Sequence, residues 1–224
     1  MSADLEKTIE SALDDVLGPK TEEIRRELAE RLHDQWRAVD ERREETIQQA
    51  REEMAAALAA AVRRIRGADS VTAVAHALAE EAARFCGRVG LFIVRDDRLL
   101  GFRVAGEAGE ELQRSFERVD LALTEALAIA HAADTCDGVV TGGSRNELSQ
   151  RIVELFGLAP SDRVHLFPVV LRDKALAILY ADGGSRARRV EAVAIETLAC
   201  AAEAWIEAVG SRRKPAPVRE EATV

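Results

Sequence analysis

Two polar rings, His165 and Tyr180, stand in otherwise apolar stretches, VHLFPVVL and ALAILYAD. Counted outward from a two-residue turn at Arg172-Asp173, they fall opposite each other across a hairpin. An imidazole facing a phenol can hydrogen-bond a ligand and titrate near neutral pH, or the two can satisfy each other inside a core. Phe92 and Phe102, on an earlier pair of apolar stretches, are the aromatic candidates for the same purpose: they line a ligand cavity or fill it. The three cysteines, Cys86, Cys136 and Cys200, lack metal-ligand spacing, and their odd number argues against a disulfide framework. Cys136 stands between Asp134 and Asp137, whose charge disfavours the thiolate, and Cys200 could meet its mate in a second copy. His131, among alanines, is a conceivable haem ligand that reads more simply as a surface or packing residue. Gly142-Gly143-Ser144 ahead of a helix offers amides to an anion, although so short a glycine pair usually marks a turn. No catalytic residue, metal site or cofactor is assigned.

The balance of charge narrows the partners. The 224 residues (24.4 kDa) carry a net charge of -9, with a pI near 5.1. Basic residues are interleaved with acids, so nucleic acid is excluded as a general partner. No apolar run is long enough for a bilayer and no signal peptide opens the chain, so the expectation is a cytoplasmic protein without membrane insertion.

The elements that must position these residues begin with residues 19–67, where apolar residues form one helical stripe. Leu28, Leu32, Trp36, Val39, Ile47, Met54, Leu58 and Ile65 belong to it, with Ala50 and Ala61, and only Arg43 interrupts. The 4-4-3 spacing returns every 11 residues, which predicts a nearly straight or weakly right-handed coiled coil. A lone helix of this length, on the order of 70 Å, cannot bury such a stripe, so a homodimer is expected. Arg43 either sets register beside Asp40, Glu44 and Glu45 or turns outward. Residues 1–18, with Leu5, Ile9, Leu13, Val16 and Leu17 on one side, read as a separate short amphipathic helix ended by Gly18-Pro19.

Farther along, Asp69 or Ser70 caps a helix with Val71, Val74, Ala75, Leu78, Ala82 and Phe85 on one face. A hairpin about Asp96-Asp97 sets Ile93 against Leu100, Leu91 against Phe102 and Val89 against Val104. Gly90 and Gly101 lie on its other face, where something comes close. Residues 107–117 read as acidic loop, 119–123 and 138–141 as short strands, and 124–133 as helix. Ser144-x-x-Glu147 opens another helix as a capping box. The second hairpin sets His165 against Tyr180, Phe167 against Ile178 and Val169 against Leu176, with a bulge or unpaired side at Pro168. The last helix, about 186–209, is apolar around most of its girth and needs two buried sides, the outer one placing Trp205 at a dimer interface. Residues 211–224 read as a disordered tail.

The order helix, hairpin, mixed connection, hairpin, helix resembles a GAF domain, the PAS-related sensory module. ARFCGRVGLFIVRDDRLLGFRVAG at 83–106 and VHLFPVVLRDKALAILYAD at 164–182 carry the resemblance. It implies an α+β fold over residues 68–210: a mostly antiparallel sheet flanked by helices and preceded by the long coiled-coil helix. The terminal helices would share one face, and the central connection would form a lid over the other. It also implies a bacterial, non-enzymatic, homodimeric regulatory module that senses a small molecule or relays a partner signalling protein's state. The alternatives are a ligand-free dimerisation and docking scaffold and a redox enzyme resting on Cys136. The residue sets of the cyclic-nucleotide and bilin members are absent, and only Cys136 stands where the methionine-sulfoxide-reducing members cluster cysteines.

Overall fold

The computed structural model describes residues 2–157 and 163–212. The chain divides into two compact units, Met1–Ala56 and Ala57–Val224. The first belongs to helix α1, Ser2–Arg66, which continues through Gly18-Pro19 where the sequence reading ends one helix and starts another. Proline removes one N–H and disfavours helix for the residue before it, yet on a solvated helix water can take the freed carbonyl. The side chains of Leu5, Ile9, Leu13, Val16 and Leu17, which defined the short amphipathic helix, lie outside the described residues, as does the tail beyond residue 212.

Along α1 the apolar stripe is exposed in the single chain. Leu28, Leu32, Val39, Ile47 and Met54 are all open to solvent, and Trp36 is 67% exposed. Ile65 departs from the seam assigned to it: with Ala61 it is fully buried in the core of its own chain, and Leu58 packs partly against that core. The reason is the turn at Gly67–Ala68, which brings the next helix, α2 (Val71–Ala82), back against the last turns of α1.

The second unit is an α+β fold built on β1 (Arg88–Arg95), β2 (Arg98–Gly106), β3 (Asp120–Ala122), β4 (Val139–Thr141), β5 (Val164–Leu171) and β6 (Lys174–Asp182). They form one sheet in the order β3-β2-β1-β6-β5-β4, and each neighbouring pair is antiparallel. On one face lie α2, the end of α1 and the last helix, α7 (Ala192–Arg212), over a core that includes Val74, Leu78, Leu91, Leu179, Ile195 and Leu198. The other face is covered by the connection from β2 to β5, with α3 (Glu110–Phe116), α4 (Leu127–Thr135), α5 (Arg145–Leu148) and α6 (Gln150–Phe156). Ser70 caps α2, accepting from the Ala73 N–H at 3.2 Å, and Ser144 and Glu147 make the expected capping box.

Both hairpin turns fall where expected, with Asp96 and Asp97 at φ 50° and 58° and Arg172 and Asp173 at 52° and 61°. These left-handed pairs match the twist of the strands they join. The registers differ, because each hairpin carries a β-bulge. In the first, the shift between Leu91 and Phe92 sets Leu91 opposite Arg103 and Gly90 opposite Val104. Arg103 consequently joins the α2 face, where its Nη2 donates to Glu80 at 3.0 Å, while Val104 enters the opposite core. In the second, the shift between Val169 and Val170 sets His165 opposite Ala181 and Leu166 opposite Tyr180. It falls just past Pro168, within the stretch where the sequence calls for an irregularity.

Two further differences concern the connection, and a third the last helix. Residues 110–116, read as loop, form α3. Its Gln113 covers the free edge of β2, with Oε1 accepting from the Val104 N–H at 2.7 Å and Nε2 donating to the Phe102 carbonyl at 3.3 Å. The helix after the capping box is broken at Ser149, whose φ of 79° separates α5 from α6. The last helix begins at Ala192 rather than near residue 186 and runs to Arg212. Gly101 answers what the glycines accommodate: a Cβ there would lie 1.8 Å from the Phe116 carbonyl oxygen. Gly101→Ala should therefore cost about 2–4 kcal/mol in chemical denaturation, and Gly109→Ala, with open space around it, less than about 1 kcal/mol.

Candidate functional site

Beneath the connection, the face where a ligand could lie against the sheet is occupied by aromatic rings. Phe92 of β1 touches Phe116 of α3 (centroids 4.6 Å apart), Phe116 touches Phe156 of α6 (5.6 Å), and Phe156 stacks on Tyr180 of β6 (4.5 Å). Gly90 makes room for them, since a Cβ there would lie 2.8 Å from Phe156 Cζ. All four rings are buried. Of the four sequence candidates, Phe92 and Tyr180 meet here. Phe102 lies on the α2 face, the side that counting from the turn gives it with Leu91 and Ile93, its ring 4.8 Å from that of His76. His165 points to the α7 face, stacked on Phe167 at 6.1 Å, and burial together with Arg163 lowers its pKa. His165 and Tyr180 thus lie on opposite sides of the sheet and share no ligand.

Tyr180 belongs instead to a buried polar network that the sequence reading misses. Its hydroxyl donates to Asp182 Oδ2 at 2.6 Å, and Asp182 also accepts from the Gly184 N–H at 2.8 Å. Arg88 spans both carboxylate oxygens, donates Nη1 to the Phe156 carbonyl at 2.6 Å and lies 4.8 Å over the Phe156 ring. Asp182 is fully buried and Arg88 nearly so. Burial, reinforced by Asp182, pushes the Tyr180 phenol far above its ordinary pKa. The same two causes push the Cys86 thiol up to about 12. The available signal was the strand ending in an acid, ALAILYAD, with Tyr180 and Asp182 two apart and so on one face.

On the helix side, an apolar cavity of about 320 Å³ opens between α2 and α7. Ala75 and Leu78 of α2, Leu91 and Ile93 of β1 and Ile206 of α7 help line it, and Arg95 is its one charged lining residue. Every other lining side chain is aliphatic, so water inside would lack partners. A second, more polar cleft of about 260 Å³ lies where Cys136, Asp137 and Gly138 approach α7, lined also by Glu196, Cys200 and Glu203. The Glu203 carboxylate accepts from the Val170 N–H at 2.6 Å, at the bulge of β5. Burial raises the Glu203 pKa, and raises the Cys200 thiol with help from Glu203 and Glu196. No group of three metal-ligating side chains occurs among the described residues. His131 is exposed on α4, and the Ser144 N–H that an anion would need goes to Glu147.

This architecture has counterparts among solved structures. The GAF domain of the Acinetobacter phosphoenolpyruvate-protein phosphotransferase superposes with a TM-score of 0.53 at 17% identity, over 71% of this chain and 96% of that one. This is a GAF fold. A putative GAF sensor protein from Burkholderia vietnamiensis is similar at a TM-score of 0.53 and 14% identity (71% and 97%). So is the free methionine-R-sulfoxide reductase of Neisseria meningitidis, at 0.51 and 16% (69% and 89%). No family model matches the chain, and no curated protein matches it. Within the GAF fold the long α1 fits an N-terminal coiled coil.

Two measurements test the energetics of the site. Arg88→Met leaves a buried carboxylate uncompensated and should cost about 3–5 kcal/mol in denaturation, whereas Arg88→Met with Asp182→Leu should cost less than the sum of the two single changes. Folded Glu203 holds its proton more tightly than the unfolded chain does. Its ionisation therefore lowers stability, an effect absent below the unfolded pKa and complete above the folded one. Glu203→Gln, which keeps an oxygen for Val170, should be more stable than the parent at about pH 7 and lose that advantage toward about pH 4.

Proposed function

We propose that this chain is a non-enzymatic, homodimeric signalling module of the cytoplasm: a GAF domain whose terminal helices relay a small molecule's or a partner signalling protein's state through a coiled coil. The observation that carries the reading is the junction at the end of α1. Arg64 grips both carboxylate oxygens of Glu81 on α2, the Trp205 indole N–H of α7 donates to the Ala68 carbonyl at 2.8 Å, and Arg66 lies 5.9 Å over the Trp205 ring. The end of α1 is thus fixed to both helices that lie on the sheet, so a change in how α2 and α7 pack must move it. Upstream, the same helix presents an exposed apolar stripe that a second copy can bury. Trp205 bonds within its own chain while remaining partly exposed, and Val193, Cys200 and Ala204 on the outer face of α7 extend the surface a second copy could cover.

The solved GAF sensor and chemotaxis-protein structures support a signalling role by analogy of fold. The reductase neighbours raise a redox alternative. It would rest on Cys136, whose neighbour across the cleft, Cys200, has its thiol pKa raised by burial, Glu203 and Glu196, and Cys86 is buried with its thiol pushed up to about 12. A second reading, the ligand-free scaffold, draws on the aromatic filling beneath the connection, which leaves the dimer and its docking faces as the function.

Both readings require association along α1. The parent should run as a dimer in light scattering at micromolar concentration. Trp36→Glu, at a position too exposed to disturb folding of one chain, should weaken association about a hundredfold or more, since each dimer loses two buried rings. A monomeric parent would sink the proposal.

A further inference from the structure

We infer that the cavity between α2 and α7 is a binding site for a single-chain amphiphile with an anionic head, such as a medium-chain alkyl carboxylate. The floor is β1 and β6, the walls are the two helices, and Leu78, Leu91 and Ala177 within it are buried. An aliphatic lining gives water nothing to bond, so the favourable occupant is a hydrocarbon chain. A methylene takes roughly the volume of a water molecule, about 30 Å³, so 320 Å³ admits a chain of about eight to ten carbons. Such a volume lies at the lower end of ordinary small-molecule sites.

The sign of the head follows from Arg95, the one charged lining residue. Its guanidinium is exposed at the hairpin turn, with Nε donating to Asp96 at 3.3 Å. Both members of that pair are largely in solvent, so the contact is weak, and a ligand carboxylate held in place by its chain can take the guanidinium's remaining donors. Leu176 and the half-exposed Val71 also line the cavity, which is open enough to admit a chain without unfolding either hairpin. This site lies on the opposite side of the sheet from the aromatic cluster of Phe92, Phe116, Phe156 and Tyr180.

The location gives binding a consequence. A chain between Leu78 of α2 and Ile206 of α7 presses on the two helices that hold the end of α1. That consequence rests on the relay reading; the binding itself does not.

Isothermal titration of the full chain with decanoate, below its micellar concentration, tests the site. The expected result is saturable micromolar binding with a negative heat-capacity change. Arg95→Gln should weaken it about three- to tenfold, and decyltrimethylammonium should bind at least tenfold more weakly than decanoate. Ala75→Phe fills the cavity and should abolish binding. Val71→Phe at the rim, where the fold tolerates bulk more readily, should weaken it at least tenfold. No saturable binding up to millimolar decanoate would overturn the inference, as would unchanged binding in both filled variants or equal binding of the cationic chain. If the parent ignores decanoate and the filled variants change subunit number, the cavity belongs to a second copy and the inference fails. Decanoate binding to a protein that light scattering finds monomeric would keep the site and remove the relay.

Discussion

The ion pair between Arg88 and Asp182 holds the middle of the molecule together. The two residues are direct partners across β1 and β6, the strands that join the two hairpins into one sheet. Asp182 is fully buried, and its carboxylate is hydrogen-bonded by Arg88, Tyr180 and the Gly184 amide. Arg88 in turn reaches the Phe156 carbonyl and ring, which ties α6 to the same point. Hairpin pairing, closure of the connection and placement of the aromatic cluster therefore converge on one carboxylate. A buried pair of this kind adds less net stability than its bonds suggest, because desolvation offsets much of the attraction. It does penalise any other register, since a one-residue slip would leave both charges without partners.

From that anchor the two faces of the sheet take different roles. The connection side is closed by ring-on-ring contact, and its glycines give way to rings and to the Phe116 carbonyl. The helix side is less complete: it retains a cavity, and it carries the end of α1 in a clasp made by Arg64, Glu81 and Trp205. Packing that is unfinished beside the end of α1 is where a modest ligand would have mechanical effect, since a tightly packed core has few ways to yield.

Much of this was legible in the sequence because it rests on local rules. The two hairpin turns, the capping box at Ser144 and Glu147, the Ser70 cap and the order of elements all depend on residues within a few positions of one another. The registers were less legible. Counting outward from a turn assumes one residue opposite one, and the bulges after Leu91 and Val169 break that assumption, which separates His165 from Tyr180 and sends Arg103 to the α2 face. Pro168 hints at the second bulge without fixing its register, and the first answers to packing on both sides of the sheet, a tertiary demand that no window of sequence contains. Helix α3 was hidden by its acidic composition, although Gln113 gives it a purpose at the edge of β2. The partners of Asp182 were hidden by distance, since Arg88 lies 94 residues away along the chain. The placement of Ile65 likewise follows from where α2 turns back, which the stripe alone does not reveal.

The treatment of the sheet's margins has a consequence for how copies can meet. β3 and β4, the outermost strands, are three residues each, and the stretch of β2 beyond β3 has two of its main-chain groups claimed by the amide of Gln113. At that flank little backbone is left for a neighbouring molecule to zip onto, so lateral stacking into ribbons is disfavoured there. A copy that offers the apolar stripe of α1 to another does so with that edge of the sheet already closed.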